Sequence, residues 1–93
     1  MKVIQSDEVA KRLAALEGWC LTPEGIEKQY DLGSFASVMQ LVNRVADLAE
    51  EADHHPEIRI TYGKVTFTLT THDAGGITEK DFDLARQIEA IAP

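Results

Sequence analysis

Apolar residues recur along this chain with two periods, and the alternation between them lays out its elements. Ser6-Asp7-Glu8 reads as a helix start, a capping hydroxyl followed by acids in the first turn. Val9, Leu13 and Leu16 then recur at helical spacing, and Gly18 is expected to end the helix. Trp19 to Leu21 is short and apolar, and Thr22-Pro23-Glu24-Gly25 is turn chemistry. Ile26 to Leu32 alternates, so a hairpin Trp19–Leu21/Ile26–Leu32 is expected. Ser34 can cap a long helix whose apolar stripe runs Phe35, Val38, Met39, Val42, Val45, Ala46, Ala49. Its other face carries Gln40, Asn43, Arg44, Asp47 and Glu51. Pro56 forbids continuation and pushes His55 towards an extended backbone, which ends this helix near Asp53.

The period then becomes two. Ile58, Ile60 and Tyr62 alternate with Arg59 and Thr61; Gly63 marks a tight turn; Val65, Phe67 and Leu69 alternate with Thr66, Thr68 and Thr70. This is a β-hairpin with one buried face. A loop Asp73-Ala74-Gly75-Gly76 follows, then Thr78-Glu79-Lys80-Asp81, which resembles a capping box, and a last helix with the stripe Leu84, Ala85, Ile88, Ile91. Hairpin-linked strands and three amphipathic helices predict an α+β fold, α-β-β-α-β-β-α, with a four-stranded antiparallel sheet and the helices on one face.

The 93 residues are expected to form a single domain, 1–93, with a modest core. The formal net charge of -7 argues against direct contact with nucleic acid or an anionic membrane. No stretch approaches a membrane span and the N-terminus carries no signal-like apolar run, so the cytoplasm is the expected compartment. The single cysteine, Cys20, reads as a small buried hydrophobe.

All three histidines lie in two short blocks, Asp53-His54-His55-Pro56 and Thr70-Thr71-His72-Asp73. Imidazole is the side chain suited to moving protons near neutral pH. The hairpin brings the start of its first strand beside the end of its second, so His54, His55, His72 and Asp81 are expected to converge at one rim of the sheet. Each also has a plain structural use: histidines after a helix favour its C-terminal dipole, His72 can be an ordinary strand-end residue, and Asp81 can bind backbone N–H groups. Zinc is a rival, but the neighbours His54 and His55 point apart and no other ligand spacing is present. A Ser-His-Asp triad lacks a nucleophile elbow, and Gly75-Gly76 is too short for a phosphate loop.

These residues resemble those of the pterin-4a-carbinolamine dehydratases. The resemblance is carried by Glu50, Asp53-His54-His55-Pro56-Glu57, Tyr62, Thr70-Thr71-His72-Asp73 and Asp81, with Gly18-Trp19 and Lys28-Gln29-Tyr30 in the first hairpin, and it covers nearly the whole chain. It implies the fold derived above and a hydro-lyase activity, dehydration of 4a-hydroxytetrahydropterin to quinonoid dihydropterin, which recycles the cofactor of aromatic amino acid hydroxylases. It also implies a pterin pocket lined by Asp53, His54, His55, Thr70, Thr71, His72 and Asp73, with Glu50 and Pro56 in support. Neither metal nor organic cofactor is implied, the pterin being the substrate. By this resemblance His54 and His72 act as the acid/base pair, His55 holds and polarises the pterin, and Asp81 supports His72 or the ring. Relatives form homodimers or homotetramers. Some act instead as protein-binding or assembly modules, and a pterin role linked to molybdenum cofactor metabolism would use the same pocket. Ile58 stands where many animal members carry Trp, which alters a stacking contact at the pocket edge.

Overall fold

A computed structural model describes residues 2–93. The elements run α1 (Ser6–Leu13), β1 (Cys20–Thr22), β2 (Gly25–Asp31), α2 (Phe35–Ala52), β3 (Glu57–Thr61), β4 (Lys64–Leu69) and α3 (Glu79–Ile91), with a 3-10 turn at His72–Ala74. The sheet is antiparallel throughout, in the order β1-β2-β4-β3. Both expected hairpins form. They are joined by β2 and β4, in the register Ile26↔Leu69 to Asp31↔Lys64.

Strand alternation decides what each face presents. Ile26, Tyr30, Val65, Phe67 and Leu69 are buried together with Val9, Val38, Val45, Phe82, Leu84 and Ile88 from the helices. The opposite face carries the cross-strand rows Glu27–Thr68–Glu57 and Gln29–Thr66–Arg59. Thr66 and Thr68 are nonetheless buried, where a solvated polar face was expected. β4 is a central strand, and its short hydroxyls lie beneath longer neighbours. Thr68 donates to Glu27 at 3.1 Å.

Several local expectations are corrected. Helix α1 stops at Leu13 rather than Gly18; the chain tightens through i→i−3 bonds from Ala15 and Leu16 before Gly18 turns it at φ 87° into β1. Ser6 is the first helical residue, and the cap position is Gln5, with no side-chain cap. On α2 the buried stripe is Val38, Leu41, Val45 and Ala49; Phe35 and Ala46 are exposed. The sheet meets a narrower face than the run of apolar positions suggested. Cys20 is exposed because it opens the edge strand β1, whose outward position it takes while Trp19 goes inward.

Ser34 caps α2, accepting from Ser37 N–H at 3.1 Å. A polar hub ties the first hairpin to α3. Trp19 Nε1–H, Lys28 Nζ and the Tyr30 hydroxyl all donate to Glu89 Oε1, at 3.0, 2.5 and 2.5 Å. Burial, and then the acceptor Glu89, push the Tyr30 hydroxyl well above the usual phenol range. For Glu89, burial works towards a higher value, but the donors Lys28, Tyr30 and Trp19 outweigh it and hold the carboxyl below its ordinary range. Among the described residues, no helix is long and apolar enough to cross a membrane.

Candidate active site

The site is built at the end of α2. Asp53 adopts a left-handed conformation, φ 50° and ψ 45°. Its N–H donates to Glu50 O at 3.2 Å, and His54 N–H donates to Ala49 O at 3.0 Å. This is the Schellman pattern, with aspartate where glycine is commonest. Pro56 then commits the chain to β3, so two adjacent histidines leave the helix through one sharp turn and part company.

His54 turns towards the helix layer and is buried. Its Nε2 lies 2.6 Å from Asp81 Oδ1. Asp81 is fully buried and accepts on Oδ2 from the Thr71 hydroxyl and from Thr78 N–H, both at 2.9 Å. The Thr71 and Thr78 hydroxyls are 2.8 Å apart, and Thr78 Oγ1 accepts from Lys80 N–H at 3.3 Å. Each hydroxyl has one proton. Thr71 spends its own on Asp81, so the Thr78 hydroxyl donates to Thr71. The chain of donors runs one way, from Lys80 N–H through both threonines to the carboxylate. With every other partner of Asp81 donating, His54 Nε2 carries a proton towards it. The capping box legible at Thr78–Asp81 is therefore also the mount of a histidine.

His55 turns to the opposite face. It lines an open cavity of about 370 Å³ with Pro23, Glu24, Glu57, Thr68, Thr70, His72 and Gly75. That volume falls within the range of small-molecule sites, ~300–1,000 Å³. The exposed His55 ring is bonded through Nε2 to Glu50 in the last turn of α2. His72 is not on the strand as expected; β4 stops at Leu69, and an isolated Thr71↔Gly76 bridge closes a loop that presents His72 on its 3-10 turn.

The expected convergence at one rim is thus present but divided in two. His55, Thr70 and His72 share the cleft, while His54, Thr71 and Asp81 form a buried network behind it. Asp81 engages His54, not His72. Asp53 serves as the helix cap and is exposed. Asp73 lies in a neighbouring recess with Thr71, Ala74 and Lys80. Pro56 is partly buried at the turn. Among the described residues, no group of three or more His, Cys, Asp or Glu is disposed to hold a metal ion.

Pro23 and Glu24 were not expected at the site. The β2–β4 pairing places them there, because Ile26 lies opposite Leu69. Gly25, at φ 149°, brings the β1–β2 turn against β4 so closely that a Cβ would sit 2.2 Å from Leu69 O. A glycine at the mouth of a turn was the available signal.

Comparison with known proteins agrees with this architecture. Residues 2–91 match the family model described as pterin 4 alpha carbinolamine dehydratase. A Roseiflexus sp. (strain RS-1) protein, named provisionally as such a dehydratase, is 54% identical over 84 residues, which is 90% of this chain and 90% of that one. A Koribacter versatilis protein with the same provisional name is 41% identical over 92 residues, covering 99% and 98%. Among solved structures, a transcriptional coactivator/pterin dehydratase from Brucella melitensis superposes with a TM-score of 0.93 at 34% identity, covering 99% of this chain and 100% of that one. A pterin dehydratase-like protein identified as a RuBisCO assembly factor in the alpha-carboxysome matches with a TM-score of 0.68 at 25% identity, over 82% and 90%. By sequence and by fold, the chain belongs to the pterin-4-alpha-carbinolamine dehydratase family.

Proposed function

We propose that this protein dehydrates 4a-hydroxytetrahydropterin to quinonoid dihydropterin and water. The observation that carries this reading is that two imidazoles, His55 and His72, from different elements, line one cleft of small-molecule size. The reaction loses hydroxide from C4a and a proton from N5 as the C4a–N5 double bond forms. An imidazolium can deliver a proton to the departing hydroxyl, and a neutral imidazole can take the N5 proton. Each transfer is typically worth ~10²–10⁴-fold. His55 and His72 are the groups open to the substrate, with Glu50 orienting the His55 ring. His54, held by Asp81, sits behind them as a positioning residue. This departs from the expected pairing of His54 with His72, because burial leaves His55 the more accessible of the two neighbours. The pterin is substrate, and no further cofactor enters the scheme.

The test is ultraviolet monitoring of 4a-hydroxytetrahydropterin breakdown with the native chain and the single variants His54→Ala, His55→Ala and His72→Ala. Acceleration lost in His72→Ala and His55→Ala supports the reading. Full turnover by folded His72→Ala would sink the assignment. The RuBisCO assembly factor among the structural neighbours favours a second reading, a non-catalytic assembly module. A folded native protein giving no acceleration would move the weight there.

A further inference from the structure

We infer that the cleft selects pterins whose side chain carries no negative charge, and that Glu24 and Glu57 enforce the selection; this rests on the dehydratase reading and names the substrate class of that site. Among the described residues lining the cleft there are two carboxylates and neither lysine nor arginine. Glu24 projects from the β1–β2 turn and Glu57 opens β3, so the two come from different elements to one opening. Glu57 stands in a cross-strand row with Thr68 and Glu27, and the Thr68 hydroxyl donates to Glu27. A third carboxylate therefore lies beside the cleft wall. A fourth, Glu50, holds His55.

The usual means of binding an anion are taken or turned away. Phosphate is ordinarily gripped by arginine, lysine or the free N–H groups of a helix N-terminus. At the N-terminus of α3, Thr78 N–H is bound by Asp81 and Lys80 N–H by Thr78 Oγ1. The Lys80 side chain lies in the neighbouring recess with Asp73. The Arg59 guanidinium, on the same strand as Glu57, already faces that carboxylate at 3.7 Å, both side chains well exposed. Among the described residues lining the cleft, only the His55 and His72 imidazoles can carry positive charge; a phosphate-bearing side chain would meet Glu24 and Glu57 as like charges, whereas a polyol would find hydroxyl and carboxylate partners.

The test compares neopterin with neopterin 3′-phosphate, which differ only in the phosphate. Dissociation constants are read from quenching of pterin fluorescence at pH 8, in low and high salt. The proteins are the native chain, Glu24→Gln/Glu57→Gln, and Asp31→Asn at the far end of β2. The readout is the ratio of the two constants. For the native chain it should favour neopterin by about tenfold at low salt and shrink as salt screens the field. In the double variant it should fall below about threefold at low salt, and in Asp31→Asn it should stay native. Equal or tighter binding of the phosphate by the native chain would overturn the filter while leaving the dehydratase reading standing. So would a ratio that ignores both salt and the double variant. Failure of neopterin itself to bind the folded native chain would remove the reading and the filter together.

Discussion

Replacing Asp81 by asparagine tests whether the buried network behind the cleft holds His54 as described. The native carboxylate accepts three hydrogen bonds, from His54 Nε2, Thr71 Oγ1 and Thr78 N–H, with no exposure to water. Alanine would orphan all three donors and break the reciprocal half of the capping box. Losses of this kind from a buried pair cost ~3–5 kcal/mol. The whole domain has only ~5–14 kcal/mol at this length. Asparagine is the sharper probe. Its amide oxygen can keep the Thr71 and Thr78 bonds, but its NH₂ then faces His54 Nε2. One contact becomes donor against donor unless the imidazole moves its proton to Nδ1. The expected cost is about 1–2 kcal/mol, in the lower part of the range for a buried donor left unsatisfied. That corresponds to a fall in Tm of roughly 4–15 °C for a domain of this size. Urea unfolding would measure the loss, and nitrogen NMR of the imidazole would report the tautomer. A variant within 0.5 kcal/mol of native whose His54 still protonates Nε2 would refute the donor assignment, on the usual ~1 kcal/mol scale of a buried bond.

Three further outcomes follow from local geometry. Glu89→Gln should destabilise at neutral pH by about 1–2 kcal/mol, because the Lys28 donor loses its anion. Glu89 is held below its ordinary value of 4.5, so its contribution is complete above that value and is lost as pH falls through the lower folded-state value. The native–variant gap should therefore close on acidification in urea titrations, and a gap that widens would be the wrong sign. At Asp53, glycine should be neutral or stabilising by up to ~1 kcal/mol, and valine should cost ~1–2 kcal/mol, since only the left-handed turn distinguishes them; equal denaturation midpoints for the two would contradict the cap. Gly25→Ala should cost at least ~3 kcal/mol, since the Cβ meets backbone that cannot step aside, and a soluble variant with native Tm would show that the β1–β2 turn is free to shift.

The fold was legible because the chain punctuates itself. Pro56 stopped α2 where a stop was needed, and the period-two run from Ile58 to Leu69 left a single register about the Tyr62-Gly63 turn. Convergence of the histidine blocks followed from hairpin geometry alone. What escaped was which face each residue takes. Side chains of adjacent residues after a left-handed turn have no periodicity to read, so nothing in the string separates His54 from His55. Asp81 was legible as a cap, but its bond to His54 depends on helix-to-loop packing across 27 residues. Pro23 and Glu24 were invisible for a related reason: alternation predicts hairpins, but not that β2 lies beside β4. The α2 stripe was drawn too wide because hydropathy marks every apolar position and packing covers only some.

The turn at Asp53 also governs how the cleft can move. One peptide plane, ~3.8 Å between Cα atoms, separates an imidazole in open solvent from one locked in the core. His55 therefore cannot swing as loop residues do. Rotation of the backbone there would pull His54 from Asp81 and its N–H from Ala49 O, opening the threonine network with it. Local opening at this segment is thereby tied to the high free-energy end of the molecule's fluctuations, far from the fraying of loops and ends. One residue before that exposed ring, the His54 amide, bonded to Ala49 O, should therefore exchange its proton more slowly than the amides of the loops.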